Sequence, residues 1–72
     1  MEMRIKVGEF MRLKTDTYMR LFNKPTALTQ GSVWSGYPNE DWGWIKYHDW
    51  DIVQIEAVNE NTHGGEIYIV MD

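Results

Sequence analysis

The chain has 72 residues, of which 43% are hydrophobic and 25% are charged, with no cysteine and a formal net charge of −4. This length allows one domain with one hydrophobic core, and the composition argues against a disordered chain, a disulfide framework and a thiolate metal site. No apolar run reaches the roughly 18 residues of a membrane span, and residues 1–6 lack a signal region. We therefore expect a single soluble domain spanning residues 1–72, located in the reducing cytoplasm.

The first 22 residues predict two strands. Residues 5–7 alternate between apolar and polar side chains, Gly8 interrupts the alternation, and residues 11–14 resume it in a new phase. This pattern is typical of a strand with a bulge or turn at the glycine. Residues 18–22 predict a second strand.

A helix within residues 9–22 is the alternative. Phe10, Leu13, Thr17 and Leu21 lie near helical spacing, although Thr15–Thr17 in the middle disfavours a helix. The fold would then be α+β, with one N-terminal helix on a three-stranded sheet.

The middle of the chain predicts a loop followed by a strand. Residues 27–39 are rich in Gly, Ser, Thr and Pro, which indicates a long loop with one short strand at residues 32–34. Residues 42–47 predict a strand with Trp42 and Trp44 on one face and Ile45 on the other.

The C-terminal third predicts a β-hairpin. Residues 51–58 and 66–71 alternate in hydrophobicity, and residues 59–65 form a strong turn signal. The two strands should pair antiparallel and bury four side chains in the core: Val53, Ile55, Ile67 and Ile69.

These elements together predict an all-β domain, a five-stranded barrel or a rolled antiparallel sheet. Residues 6–14, Lys-Val-Gly-Glu-Phe-Met-Arg-Leu-Lys, resemble the opening of small SH3-like barrels, in which a hydrophobic-Gly-acid turn leads into the first long strand. Short SH3-like proteins of phages and prophages are similar at this point. The resemblance implies a barrel that serves as an interaction module, without catalytic residues.

Charge is divided unevenly between the two halves of the chain. Residues 1–30 carry a net charge of +3, and residues 31–72 carry −7. The bases of the first half are Arg4, Lys6, Arg12, Lys14, Arg20 and Lys24. The two halves are expected either to pair with each other within the fold or to present two faces of opposite charge.

Residues 34–50 contain all four tryptophans of the chain, together with several acids. A small core has little room for so many large rings, so some of them should lie at the surface beside carboxylates. Ile45 is the better core residue, which leaves the opposite strand face exposed; the competing interpretation places Trp44 and Tyr47 in the core. The predicted binding residues are Trp42, Trp44, Glu40, Asp41, Trp34 and Tyr37.

Metal binding and catalysis receive little support from the sequence. His48, Asp49 and Asp51, with Glu40, Asp41 and His63, contain suitable ligand atoms but no recognised ligand spacing. No nucleophile motif is present. We therefore expect no metal, no cofactor and no enzymatic activity.

The predicted function is non-catalytic protein–protein binding through the acidic, aromatic face, as in a phage or prophage accessory or inhibitor protein. The partner is another protein or a second copy of the chain. The alternative is a nucleic-acid-binding domain that uses the basic N-terminal half. It requires the first two strands to pair into a basic stripe, with Tyr18 and Phe22 as stacking platforms.

Overall fold

Four strands form one open sheet that mixes parallel and antiparallel pairs. The computed structural model describes residues 5–58 and 65–72, so nearly all of the turn predicted at residues 59–65 lies outside the described residues. The elements, in chain order, are α1 (Val7–Leu13), β1 (Tyr18–Asn23), a 3-10 turn (Lys24–Thr26) leading into α2 (Ala27–Gln30), β2 (Ser32–Gly36), a 3-10 helix (Trp42–Tyr47), β3 (Ile52–Val58) and β4 (Glu66–Met71). We call the 3-10 helix Trp42–Tyr47 the tryptophan helix.

The strand order in the sheet is β2-β1-β4-β3. β1 pairs antiparallel with β2 and parallel with β4, and β3 and β4 form the predicted antiparallel hairpin. The predictions of a barrel and of a purely antiparallel sheet were wrong. The central pair of strands, β1 and β4, is parallel, and β2 and β3 lie at opposite edges of an open sheet. The domain is sheet-rich with short helices, and its described residues form four strands where five were predicted.

The N-terminal segment forms a helix where a bulged strand was predicted. α1 buries Val7 and Met11, four residues apart on one helix face, while Leu13 is 77% exposed. The helical alternative was therefore closer for this segment, although the helix ends at Leu13 and β1 occupies the second half of the range. The same apolar spacing fitted a strand with a change of phase, which is why the pattern alone did not decide between them.

Gly8 allows α1 to lie directly against the end of the tryptophan helix. Its amide donates to the carbonyl of His48 at 2.8 Å, and the Val7 amide donates to the carbonyl of Trp50 at 2.9 Å. These bonds satisfy two N–H groups of the first helical turn, which have no partner within the helix. A Cβ atom on Gly8 would lie 3.0 Å from the His48 carbonyl oxygen, so this glycine provides a close approach rather than a bulge.

The core lies between one face of the sheet and the layer formed by α1 and the tryptophan helix. Met19 and Leu21 of β1 and Ile69 and Met71 of β4 point to this face, as alternate residues of a strand do. The buried hydrophobic residues are Val7, Met11, Met19, Leu21, Trp34, Trp44, Ile69 and Met71.

Two of the four predicted core residues of the hairpin are nearly half exposed. Ile69 is buried and Ile67 packs partly against the core, but Val53 is 47% and Ile55 is 43% exposed. Ile55 lies opposite Ile69 in the ladder and therefore faces the core side, yet β3 is the outermost strand and receives little cover. The register also shifts between Ile52 and Gln54, so that Ile52 packs against the core in place of Val53.

Ion pairs join the basic first half of the chain to the acidic second half. Lys6 Nζ lies 2.7 Å from Asp51 Oδ1, and Arg20 Nε lies 2.7 Å from Glu66 Oε1. Glu66 is buried, and its hydrogen bond to Arg20 raises the pKa of the guanidinium above its ordinary value. At these positions the two halves pair within the fold, as the first of the two charge interpretations predicted.

Within residues 5–58 and 65–72, none of the helices combines the length and the apolar character needed to cross a membrane.

Candidate functional site

The segment that carries most of the predicted binding residues forms a 3-10 helix where a strand was predicted. Asp41 caps its start, because its carboxylate oxygen Oδ1 accepts a hydrogen bond from the Gly43 amide at 2.9 Å. The amides of Glu40 and Asp41 donate to the Tyr37 carbonyl just before it, at 2.9 and 3.0 Å. Asp, Gly and the turn at Pro38–Asn39 provide the local signals for a capped turn rather than a strand.

A 3-10 helix repeats every three residues, and this repeat divides the tryptophan helix into two faces. Trp42 and Ile45 share the outer face and are 55% and 46% exposed. Trp44 and Tyr47 share the inner face, where Trp44 is fully buried and Tyr47 packs partly against the core. The prediction that Trp42 and Trp44 share an exposed face opposite Ile45 was therefore wrong. The competing interpretation was correct for Trp44, which is in the core, whereas Tyr47 only packs against it.

The buried Trp44 supports the exposed Trp42. The Trp44 indole N–H donates to the Pro38 carbonyl at 3.2 Å, and the Arg12 guanidinium lies 5.8 Å from its ring centroid. The Trp42 ring packs on Trp44 with a centroid separation of 5.3 Å and an interplanar angle of 31°. An exposed indole thus rests on an indole that is fixed within the core.

Trp34 lies beneath the start of the tryptophan helix and not on its surface. It is 9% exposed, and a Cβ atom on Gly43 would lie 2.8 Å from its Cδ1 atom. Its indole nitrogen is buried without a hydrogen-bond partner among the described residues. Trp34 is therefore a core residue and does not lie at an exposed surface, although it was among the predicted binding residues.

Tyr37 contacts Tyr18 on the sheet face opposite the core. Its ring meets Tyr18 edge to face, with centroids 5.3 Å apart, and the Arg20 guanidinium lies 5.4 Å from the Tyr18 ring centroid. Tyr37 is only partly exposed.

The two predicted acids remain at the surface. Glu40 and Asp41 are both exposed and directly precede Trp42. One oxygen of Asp41 serves as the helix cap, and Glu40 has no ion pair among the residues the structure describes. We define Glu40, Asp41, Trp42 and Ile45 as the acidic indole surface.

The histidine and acids considered as metal ligands are not brought together. His48 Nδ1 lies 2.9 Å from the Ile45 carbonyl, and Asp51 pairs with Lys6. Across residues 5–58 and 65–72, no group of three or more His, Asp or Glu side chains has the spacing of a metal site. His63 lies outside the described residues.

The basic stripe required for nucleic-acid binding does not form in the way the sequence suggested. It depended on two paired N-terminal strands, and the first of these is α1. Lys6 and Arg20 are engaged by acids, and Arg12 lies against Trp44. Arg4 lies outside the described residues.

The sequence interpretation missed two other exposed apolar features. One is a groove of about 260 Å³ on the sheet face opposite the core, lined by Phe22, Ala27, Leu28, Gln54, Glu56, Tyr68 and Val70. The other is the outer edge of β3, with Val53 and Ile55. The alternation in β1, β3 and β4 indicated two sheet faces, but not which face or which edge stays uncovered.

Comparisons of the chain with protein-family models, with curated proteins and with solved structures found no match.

Proposed function

We propose that this domain is a non-catalytic binding module whose contact surface is the acidic indole surface. The observation that carries the proposal is the position of Trp42, a largely exposed indole stacked on the fully buried Trp44. The phage or prophage setting, as an accessory or inhibitor protein, remains a prediction.

A supported indole is a favourable binding anchor. Most exposed side chains lose rotamer freedom when a partner binds, and this loss weakens the complex. Packing on Trp44 already restricts the Trp42 ring, so a partner meets a large apolar surface that is partly ordered in advance. Ile45 extends that surface by one helical repeat.

The charge beside Trp42 indicates the chemistry of the partner. Glu40 and Asp41 are exposed, and residues 31–72 carry a net charge of −7. A segment with an apolar side chain next to Lys or Arg would fill the space over Trp42 and Ile45 and meet the carboxylates. We therefore expect a basic, apolar peptide segment of another protein as the ligand.

The test uses peptides selected from a random displayed library on the wild-type domain. Their affinities are then measured for the wild type and for Trp42→Ala, Glu40→Lys and Leu28→Ala. Trp42→Ala should weaken binding by roughly 30-fold or more, as expected for loss of a tryptophan anchor worth about 2 kcal/mol. Glu40→Lys should weaken it less, and mainly at low salt.

Leu28→Ala is the matched control, because Leu28 is fully exposed and lines the groove on the opposite face of the sheet. Thermal melts of all variants separate lost binding from lost folding. The proposal fails if the library gives no basic, apolar ligands, or if those ligands bind folded Trp42→Ala as well as they bind the wild type.

A further inference from the structure

The outer edge of β3 has main-chain groups that no described strand of the chain pairs with. At its start, the Ile52 amide donates to the Ile5 carbonyl at 2.9 Å, and Lys6 forms a bridge with Asp51. Beyond this point, no strand in residues 5–58 or 65–72 pairs with the outer side of β3. Among these described residues, nothing pairs with the outer side of residues 53–57, which we call the edge segment.

The register shows which groups point outward. Asp51 and Asp72 exchange both of their main-chain hydrogen bonds, at 3.3 and 3.0 Å. In an antiparallel ladder such pairs alternate with pairs that bond away from each other. Successive residues of β4 all have partners in β3, so this alternation can be followed along β4 past the register shift in β3. It places the N–H and C=O groups of Ile55 and Ala57 on the outer edge of β3.

Apart from its covered start and the register shift near Val53, the edge has few of the features that usually prevent strand pairing. Natural edge strands often carry Lys or Pro or have covered ends. β3 reads Ile-Val-Gln-Ile-Glu-Ala-Val and contains neither residue. Val53 and Ile55 are nearly half exposed beside Ile5, which is 40% exposed, and they line a shared surface depression.

We propose that β3 pairs antiparallel with β3 of a second copy of the chain, about a two-fold axis at Ile55. The axis is perpendicular to the sheet, so the two four-stranded sheets join into one and their core faces lie on the same side. Ile55 then faces Ile55 of the other copy, Val53 faces Ala57, and Gln54 faces Glu56.

The neighbouring registers are disfavoured. An axis at Gln54 would place Ala57 of the second copy opposite Asp51, where Lys6 already lies. An axis at Glu56 would bring two carboxylates directly opposite each other, which destabilises a strand pair. An axis at Ile55 lies at the centre of segment 53–57. It places apolar side chains opposite apolar side chains and the Glu56 carboxylate opposite the Gln54 amide. This self-complementarity favours a second copy over an unrelated strand.

One strand pair makes a small interface, so we expect weak association that is measurable by sedimentation equilibrium up to about 1 mM protein. Ile55→Lys should abolish it, because two ammonium groups would face each other at the axis. Gln54→Lys should strengthen it roughly two- to thirtyfold at low salt, because each introduced ammonium group would face Glu56 of the other copy, at 0.2–1 kcal/mol per pair. Added salt should reduce this gain.

Trp42→Ala is the control that separates this edge from the acidic indole surface, and it should leave the association unchanged. A thermal melt shows whether Gln54→Lys stays folded, and stronger association of the folded variant then tests the register. The proposal is overturned if the wild type stays monomeric throughout the range. It is also overturned if Gln54→Lys weakens the association, or if Trp42→Ala abolishes it.

Discussion

β3 and β4 carry nearly the same alternation of apolar and polar residues, but they differ in how much of it is buried. In β4, Ile69 and Met71 are fully buried, because β4 lies between β1 and β3 beneath the helices. In β3, Ile55 faces the same side as Ile69 and remains 43% exposed, because β3 is an edge strand. The period of a pattern therefore determines which residues share a face, and the position of the strand in the sheet determines whether that face is covered.

The tryptophan helix shows the same distinction between residues two positions apart. Trp44 is fully buried, while Trp42 is 55% exposed and stacks on it. Side chains of this 3-10 helix return to the same face every three residues and not every two, so Ile45 shares the outer face with Trp42.

The largest expected contrast is between Ile69→Ala and Ile55→Ala. Loss of the buried side chain of Ile69 should reduce the free energy of unfolding by about 2–5 kcal/mol, since it leaves a cavity in the core. Ile55→Ala should cost about 1 kcal/mol or less in the monomer, because solvent already reaches this side chain. Chemical denaturation of dilute samples measures both, and equal losses would contradict the difference between the two strands.

A smaller contrast is expected for charged contacts on the two strands. Arg20→Met removes the guanidinium from Glu66, a buried carboxylate at the start of β4, and should cost roughly 1–3 kcal/mol. Glu56→Gln changes an exposed acid of β3 and should alter stability by about 0.5 kcal/mol or less. The two melts are compared at the same pH and salt. A larger effect from Glu56→Gln would show that β3 is covered on this face.

Much of the strand content followed from the sequence, because short-range alternation and turn residues mark strands locally. β1, the short β2, and the hairpin of β3 and β4 lie where they were predicted. The parallel pairing of β1 with β4 joins Tyr18 to Glu66, and no local signal specifies a contact between residues so far apart. That pairing makes the sheet open and leaves β3 at its edge.

The candidate site was predicted only in part. Glu40, Asp41 and Trp42 are exposed as expected, since acids and a capped turn favour the surface. Trp44 and Trp34 are core residues, because the 3-10 turn places Trp44 toward the sheet and Gly43 against the Trp34 ring. The strand predicted at residues 42–47 has a period of two residues, whereas the 3-10 helix has a period of three. The prediction therefore gave Trp44, and not Ile45, as the residue that shares a face with Trp42.

The most direct test of the central claim, that β3 is the uncovered edge of an open sheet, is amide hydrogen exchange in the dilute monomer. The amides of Ile55 and Ala57 should exchange rapidly, because they point away from β4. Those of Gln54 and Glu56 should exchange slowly, because they bond to β4. Equal, slow exchange of all four amides in the monomer would mean that β3 is paired on both sides, and would contradict the open sheet.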